Sequence, residues 1–121
     1  MPLRHFDEEL SDLKTKLLRM AAQAEDQIDK ALTALVTRDS ALAREVIERD
    51  HLVNALDVEI DEESIRLLAL HQPAARDLRL VTTAMKIATE LERISDLAEN
   101  VCERAIELNE EPQLKPYIDI P

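Results

Sequence analysis

Glycine is absent from all 121 residues, tryptophan is absent too, and the aromatic side chains amount to Phe6 and Tyr117. Without Gly, the left-handed positions of primed hairpin turns and of most helix C-caps fall to residues that carry a Cβ. A glycine-rich phosphate loop has no material to form from. These absences argue against all-β and α/β folds and point to an all-α chain. A core nearly free of aromatics is built from Leu, Ile, Val, Ala and Met, as in helical bundles, and apolar residues supply 45% of the chain. That is enough for one domain without disulfide or metal staples. The only cysteine is Cys102. One thiol closes no internal disulfide, which suits a reducing cytoplasm.

Positive charge is also scarce. Fifteen Lys and Arg face 26 Asp and Glu, a formal net charge of −11. Such a balance repels phosphate backbones, so nucleic acid is not an expected partner; metal cations or basic protein surfaces are. No apolar run approaches the roughly 20 residues that a bilayer-spanning helix needs, so no direct membrane insertion is expected. The N-terminus is acidic from Asp7 onward and does not read as a secretory signal.

Apolar residues then recur at spacings of three and four along three stretches. Residues 7–38 carry Leu10, Leu13, Leu17, Met20, Ala24, Ile28, Ala31 and Leu35. Asp7, Glu8 and Glu9 would sit in its first turn, favoured by the helix dipole. Residues 41–70 carry Leu42, Val46, Val53, Leu56, Ile60 and Leu67, with Asp39 or Ser40 as the N-cap. Pro73 ends this helix and can open the next at its first position. Residues 74–108 carry Leu80, Ala84, Ile87, Leu91, Ile94, Ala98, Val101 and Ala105. Residues 109–121, with Pro112 and Pro116, form an extended tail. The pattern predicts an antiparallel up-down-up three-helix bundle in a single domain.

The acids are placed by the same wheel. Asp50, Asn54, Asp57 and Asp61 share a stripe beside the apolar face of the second helix. Glu92, Asp96, Glu99, Asn100 and Glu103 share one on the third, nearly opposite its core residues Leu91, Ile94 and Ala98. Carboxylates four residues apart repel one another, and a di- or trivalent cation would turn that repulsion into coordination by hard oxygens. On spacing alone the stripes fit a metal site or a solvated acidic face. The Glu-x-x-His pattern of di-iron bundles is absent, which disfavours an oxygen-activating enzyme. No Ser/His/Asp or Cys/His arrangement is legible.

The remaining candidates carry less. His51 points away from the acidic stripe, and His5 and His71 lie at helix ends against solvent or carbonyls. Cys102 reads as a small core residue, and Arg76, Arg79, Lys86 and Arg93 as solvated positions. Leu78, Val81 and Met85 lie off the main stripe of the third helix, as a broadened core or a self-association surface. The second reading predicts a homodimer.

Two stretches carry a resemblance. His71-Gln72-Pro73-Ala74-Ala75-Arg76-Asp77-Leu78-Arg79 is followed by Glu90-Leu91-Glu92-Arg93-Ile94-Ser95-Asp96. With Val46-Ile47-Glu48-Arg49-Asp50 and Glu59-Ile60-Asp61, they resemble the PhoU family of phosphate-signalling regulators, over about residues 10–116. The resemblance implies a cytoplasmic, non-enzymatic bundle of three-helix repeats with surface metal clusters. Their ions would be Fe, Zn, Mn or Mg. The matching acids are Asp57 with Asp61 and Glu92 with Asp96, extended by Asp50, Asn54 and Asn100. It further implies negative regulation of the phosphate regulon through a phosphate transporter ATPase subunit and a sensor histidine kinase. Ser95 stands where the family often has Gly, and Asp57 where Glu is common. Family members usually carry two three-helix repeats, and this chain carries one. A metal-free helical scaffold or adaptor is the alternative reading.

Overall fold

The computed structural model describes residues 2–111, with side chains from residue 5 onward. Three helices account for almost all of them: α1 (Pro2–Thr37), α2 (Ser40–His71) and α3 (Ala75–Glu110). Each packs against both others. Cross-helix contacts give the direction. Lys16 meets Glu63, and Gln27 meets the Val46 carbonyl, so α1 and α2 are antiparallel. Asp50 meets Ser95, and Ser40 meets Asn109, so α2 and α3 are antiparallel as well. The up-down-up order stands, with helices about 50 Å long at 1.5 Å per residue.

The joints follow from local chemistry. Asp39 is extended (φ −94°, ψ 94°), and its side chain accepts from the Leu42 amide as the N-cap of α2. Arg38, at the end of α1, and Gln72, the C-cap of α2, take positive φ of 57° and 43°. These are the left-handed positions that a chain without glycine must fill with larger residues. Several boundaries differ from expectation. Helix α1 begins at Pro2, so Asp7, Glu8 and Glu9 lie beyond its first turn, which holds no acid. Pro73 does not open α3: Ala74 is the N-cap and Ala75 the first helical residue. Asn109 and Glu110 complete α3, where an extended tail was expected; the tail from residue 112 lies outside the described residues.

The core has two halves. Phe6, Leu10, Leu13 and Met20 pack with Leu56, Ile60, Leu67 and Val81 at one end. Ala31, Ala34, Ala43, Val46, Ala98 and Cys102 form the other. Between them lies a polar layer of Gln27, Asp50 and Ser95, all buried. Gln27 donates to the Val46 carbonyl at 2.9 Å, and Ser95 donates to Asp50 Oδ1 at 2.7 Å. Each therefore carries the partner that a buried polar group requires.

On α3 the core face is turned from the expected one. Val81, Ala88, Ser95 and Cys102 are buried at steps of seven, while Leu80, Ile87 and Ile94 are 36–42% exposed. Val81 belongs to the core, so the strip proposed for Leu78, Val81 and Met85 does not exist as one surface. Leu78 is exposed and Met85 half-buried. The small residues along this face, Ala84, Ala88, Ser95, Ala98 and Ala105, let α3 sit close to its neighbours.

Candidate functional site

The turn of α3 toward α2 relocates its acids. Glu92 and Glu99 are half-buried at the α2–α3 seam rather than opposite the core, with Asp96 and Glu103 beside them in solvent. On α2, Asp50 is buried, Asp57 half-buried, and Asn54 and Asp61 exposed. The two stripes predicted from the wheel thus meet along one seam, with Asn100 on the outer side of α3 lining a separate groove with Leu97 and Val101.

Asp50 anchors the seam. Its Oδ1 accepts from Ser95 and its Oδ2 from the Asn54 amide at 3.1 Å. Asn54 is thereby committed to Asp50. Around this anchor the carboxylates face one another. A hydrogen bond with Asp96, then burial, then the charges of Asp96, Asp57 and Asp50 push the Glu92 carboxyl above the usual range. Burial first, and then the charges of Asp50 and Glu103, raise Glu99. Burial and the neighbouring Asp61 raise Asp57. Desolvation, with a smaller push from Glu99, lifts the Cys102 thiol to about 11, so this buried cysteine is not a thiolate nucleophile.

Among the described residues, none of the seam acids forms an ion pair with Lys, Arg or His. Several cations are engaged elsewhere: Lys16 with Glu59 and Glu63, Lys30 with Asp26 and Glu45, Arg66 with Glu9. A shallow cavity of about 400 Å³ opens at one end of the seam, lined by Asp57, Asp61 and Glu62 of α2 and by Met85 and Thr89 of α3. Among the described residues, no group of three or more His, Cys, Asp or Glu side chains is arranged to hold one metal ion. The fit to a metal is therefore one of donor chemistry. Hard carboxylate oxygens stand in excess, several disfavour their own negative charge, and no ammonium or guanidinium offsets them.

The histidines fall outside the seam. His51 is exposed, its Nδ1 2.6 Å from the Glu48 carbonyl. His5 and His71 both reach the Glu9 carboxylate, at 2.9 and 3.2 Å, His5 while still exposed to solvent as expected and His71 half-buried, and Arg66 joins them at 2.7 Å. Phe6 stacks at a tilt on His71, its ring centre 4.9 Å away. This hub ties the start of α1 to the end of α2. Only the His5–Glu9 pair has helical spacing; Arg66 and His71 are 57 and 62 residues from Glu9, so spacing within one helix carried no signal for them. Arg76, Arg79, Lys86 and Arg93 are exposed as expected, Arg93 donating to Glu90.

No helix among the described residues is long and apolar enough to cross a membrane. Residues 17–105 match the PhoU domain. A phosphate-specific transport system accessory protein PhoU homolog of Aquifex aeolicus is 46% identical over 112 residues, covering 93% of this chain and 51% of that protein. The phosphate-specific transport system accessory protein PhoU of Escherichia coli is 44% identical over 102 residues, covering 84% and 42%. The crystal structure of PhoU from Pseudomonas aeruginosa superposes with a TM-score of 0.88 at 43% identity, covering 94% of this chain and 55% of that one. The chain spans about half the length of the curated relatives it matches. Sequence and architecture together make this chain a member of the PhoU family, holding one of its three-helix repeats.

Proposed function

We propose that this chain is an accessory regulator of phosphate transport that works through protein contacts and not through catalysis. In this reading it lowers phosphate-regulon signalling when phosphate is plentiful, in the cytoplasm, by contacting a phosphate transporter ATPase subunit and a phosphate-sensing histidine kinase. The observation that carries the reading is the family match over residues 17–105, to relatives named as accessory proteins of phosphate-specific transport. The structure is in keeping with it: an acidic surface seam and a net charge suited to basic protein surfaces.

The seam is the proposed contact and metal surface. Asp57, Asp61, Glu92 and Asp96 would hold di- or trivalent cations, Fe, Zn, Mn or Mg, with Asp50, Asn54 and Asn100 as neighbours. Such an ion supplies positive charge where the protein has none, and so lets an acidic face approach another acidic surface. The alternative, a metal-free helical adaptor, is favoured by one observation: Asp50 and Asn54 already satisfy each other without an ion.

The test is regulatory. The chain is expressed in a bacterium lacking its own PhoU, with a phosphate-regulon reporter read in phosphate-rich medium. Repression by this chain, lost in Asp57→Ala/Glu92→Ala with the protein still folded, is the expected result. A reporter that stays fully on despite abundant folded chain rejects the regulatory reading for this three-helix unit.

A further inference from the structure

One corner of this acidic chain is basic. Lys14 of α1 and Arg76 and Arg79 of α3 line a cavity of about 440 Å³ against the single acid Asp77. Among the described residues, none of these three cations has an ion-pair or hydrogen-bond partner. Lys16, Lys30, Arg66 and Arg93, by contrast, are all paired with acids. Lys14, Arg76 and Arg79 are exposed, and they stand with the positive end of α3, whose N-cap Ala74 supplies no side-chain acceptor. On a chain of net charge −11, cations left together without a counter-charge make a local site for anions.

The floor of the cavity decides which kind of anion fits. Leu10, Lys14, Leu80 and Thr83 also border a deeper slot of about 70 Å³ between α1 and α3, whose walls are completed by Leu13, Leu17, Ala84 and Ile87. A free inorganic anion gains nothing from an apolar slot. A small-molecule ligand or a lipid chain fills a pocket of roughly 300 Å³ or more, and this slot is far smaller. Its size suits one aliphatic side chain. A polypeptide segment that carries such a side chain beside its acids uses both the slot and the basic rim. The basic stretch is also short. Farther along the same two helices, Glu103 and Glu107 stand against the single base Arg104, so acids that continued there would be repelled.

We infer that the cleft between α1 and the start of α3 is a docking site for an acidic segment of another protein, with an aliphatic side chain seated in the slot and carboxylates on Lys14, Arg76 and Arg79. The two guanidinium groups supply the forked donors that carboxylates accept in pairs. This goes beyond the proposed regulatory reading, whose contact surface is the acidic α2–α3 seam. The partner's charge is opposite here, and the cleft lies between a different pair of helices.

The test uses the 121-residue chain in chelator. The probe is a fluorescent synthetic helix of Glu and Ala carrying Leu at i and i+4, and its anisotropy reads binding. Saturable binding that weakens as salt is raised is the expected result. Arg76→Glu/Arg79→Glu should weaken it by about tenfold or more, with an unchanged helical spectrum, because both side chains are exposed. A probe with Ala in place of Leu should lose about as much on the wild-type chain, a comparison that needs no variant to fold. A probe that does not bind, or that binds wild type and Arg76→Glu/Arg79→Glu alike, overturns the inference. So does a Leu-free probe that binds as tightly, which would leave a bare anion patch. Flotation with phosphatidylglycerol vesicles should retain no protein; retention that Arg76→Glu/Arg79→Glu abolishes would give the patch to a membrane surface and overturn the inference too. None of these measurements reads the phosphate regulon, so their failure leaves the regulatory reading to its own reporter test.

Discussion

The Ser95 hydroxyl donates to Asp50 Oδ1 at 2.7 Å across the α2–α3 contact, with both side chains almost wholly buried. This bond explains how a carboxylate survives in the layer between the two halves of the core. The second oxygen of Asp50 is held by Asn54, so the group meets the protein through both oxygens. Ser95→Ala would leave Oδ1 buried without its donor. The expected loss is about 2 kcal/mol, the scale for a hydrogen bond to a charged group. Chemical denaturation of wild type and variant in chelator measures it.

The seam makes stability fall as pH rises. Asp57, Glu92 and Glu99 all hold their protons more tightly folded than unfolded. Their contribution is fully present below the unfolded carboxylate value of about 4, and it is lost as pH climbs through the raised folded values. Glu9, lowered chiefly by its hydrogen bond from Arg66, acts in the opposite sense, and its contribution disappears only as pH falls through its lowered value. In chelator, Glu92→Gln/Glu99→Gln should flatten the decline in melting temperature as pH rises from about 4. An identical slope in wild type and variant would mean that these carboxyls do not carry it.

The absence of glycine has a measurable cost at Gln72. A side chain with a Cβ at φ 43° pays roughly 1 kcal/mol over glycine there. Gln72→Gly is therefore expected to raise stability by about 1 kcal/mol. Thermal melts decide it, and a destabilised variant would show that the Gln72 side chain contributes more than its backbone costs.

The three helices were legible from apolar spacing because α1 and α2 each present a dominant buried stripe. Residue type and position narrowed the α2 cap to Asp39 or Ser40, and the structure gives the role to Asp39. The core phase of α3 was not legible. Leu80, Ile87 and Ile94 are larger and more apolar than Ala88, Ser95 and Cys102, so hydrophobicity alone points to the wrong line. Close packing of α3 on two neighbours favours the small residues, and the large ones are left at the edge. That rotation brings Glu92 and Glu99 to the seam. The wheel and the motif resemblance picked out Asp50, Asp57, Glu92 and Asp96 as acids of two stripes, but the wheel set Glu92 and Asp96 opposite the core, so their approach to α2 was not legible. The Ser95–Asp50 bond and the contacts of Glu9 with Arg66 and His71 are long-range contacts between residues of ordinary type, and no local pattern announces them.

The central claim is that the α2–α3 seam binds hard cations through its acids. Protein stripped with chelator is titrated with Mn²⁺, Zn²⁺ or Fe³⁺ while thermal unfolding is followed. An ion that binds only the folded seam stabilises it by about 2.7 kcal/mol at a hundredfold excess over its dissociation constant. The account predicts a rise in melting temperature that saturates for wild type and is absent in Asp61→Ala/Asp96→Ala, whose helical content is unchanged. A wild-type melting temperature that no cation moves, or a variant that responds as wild type does, would contradict it.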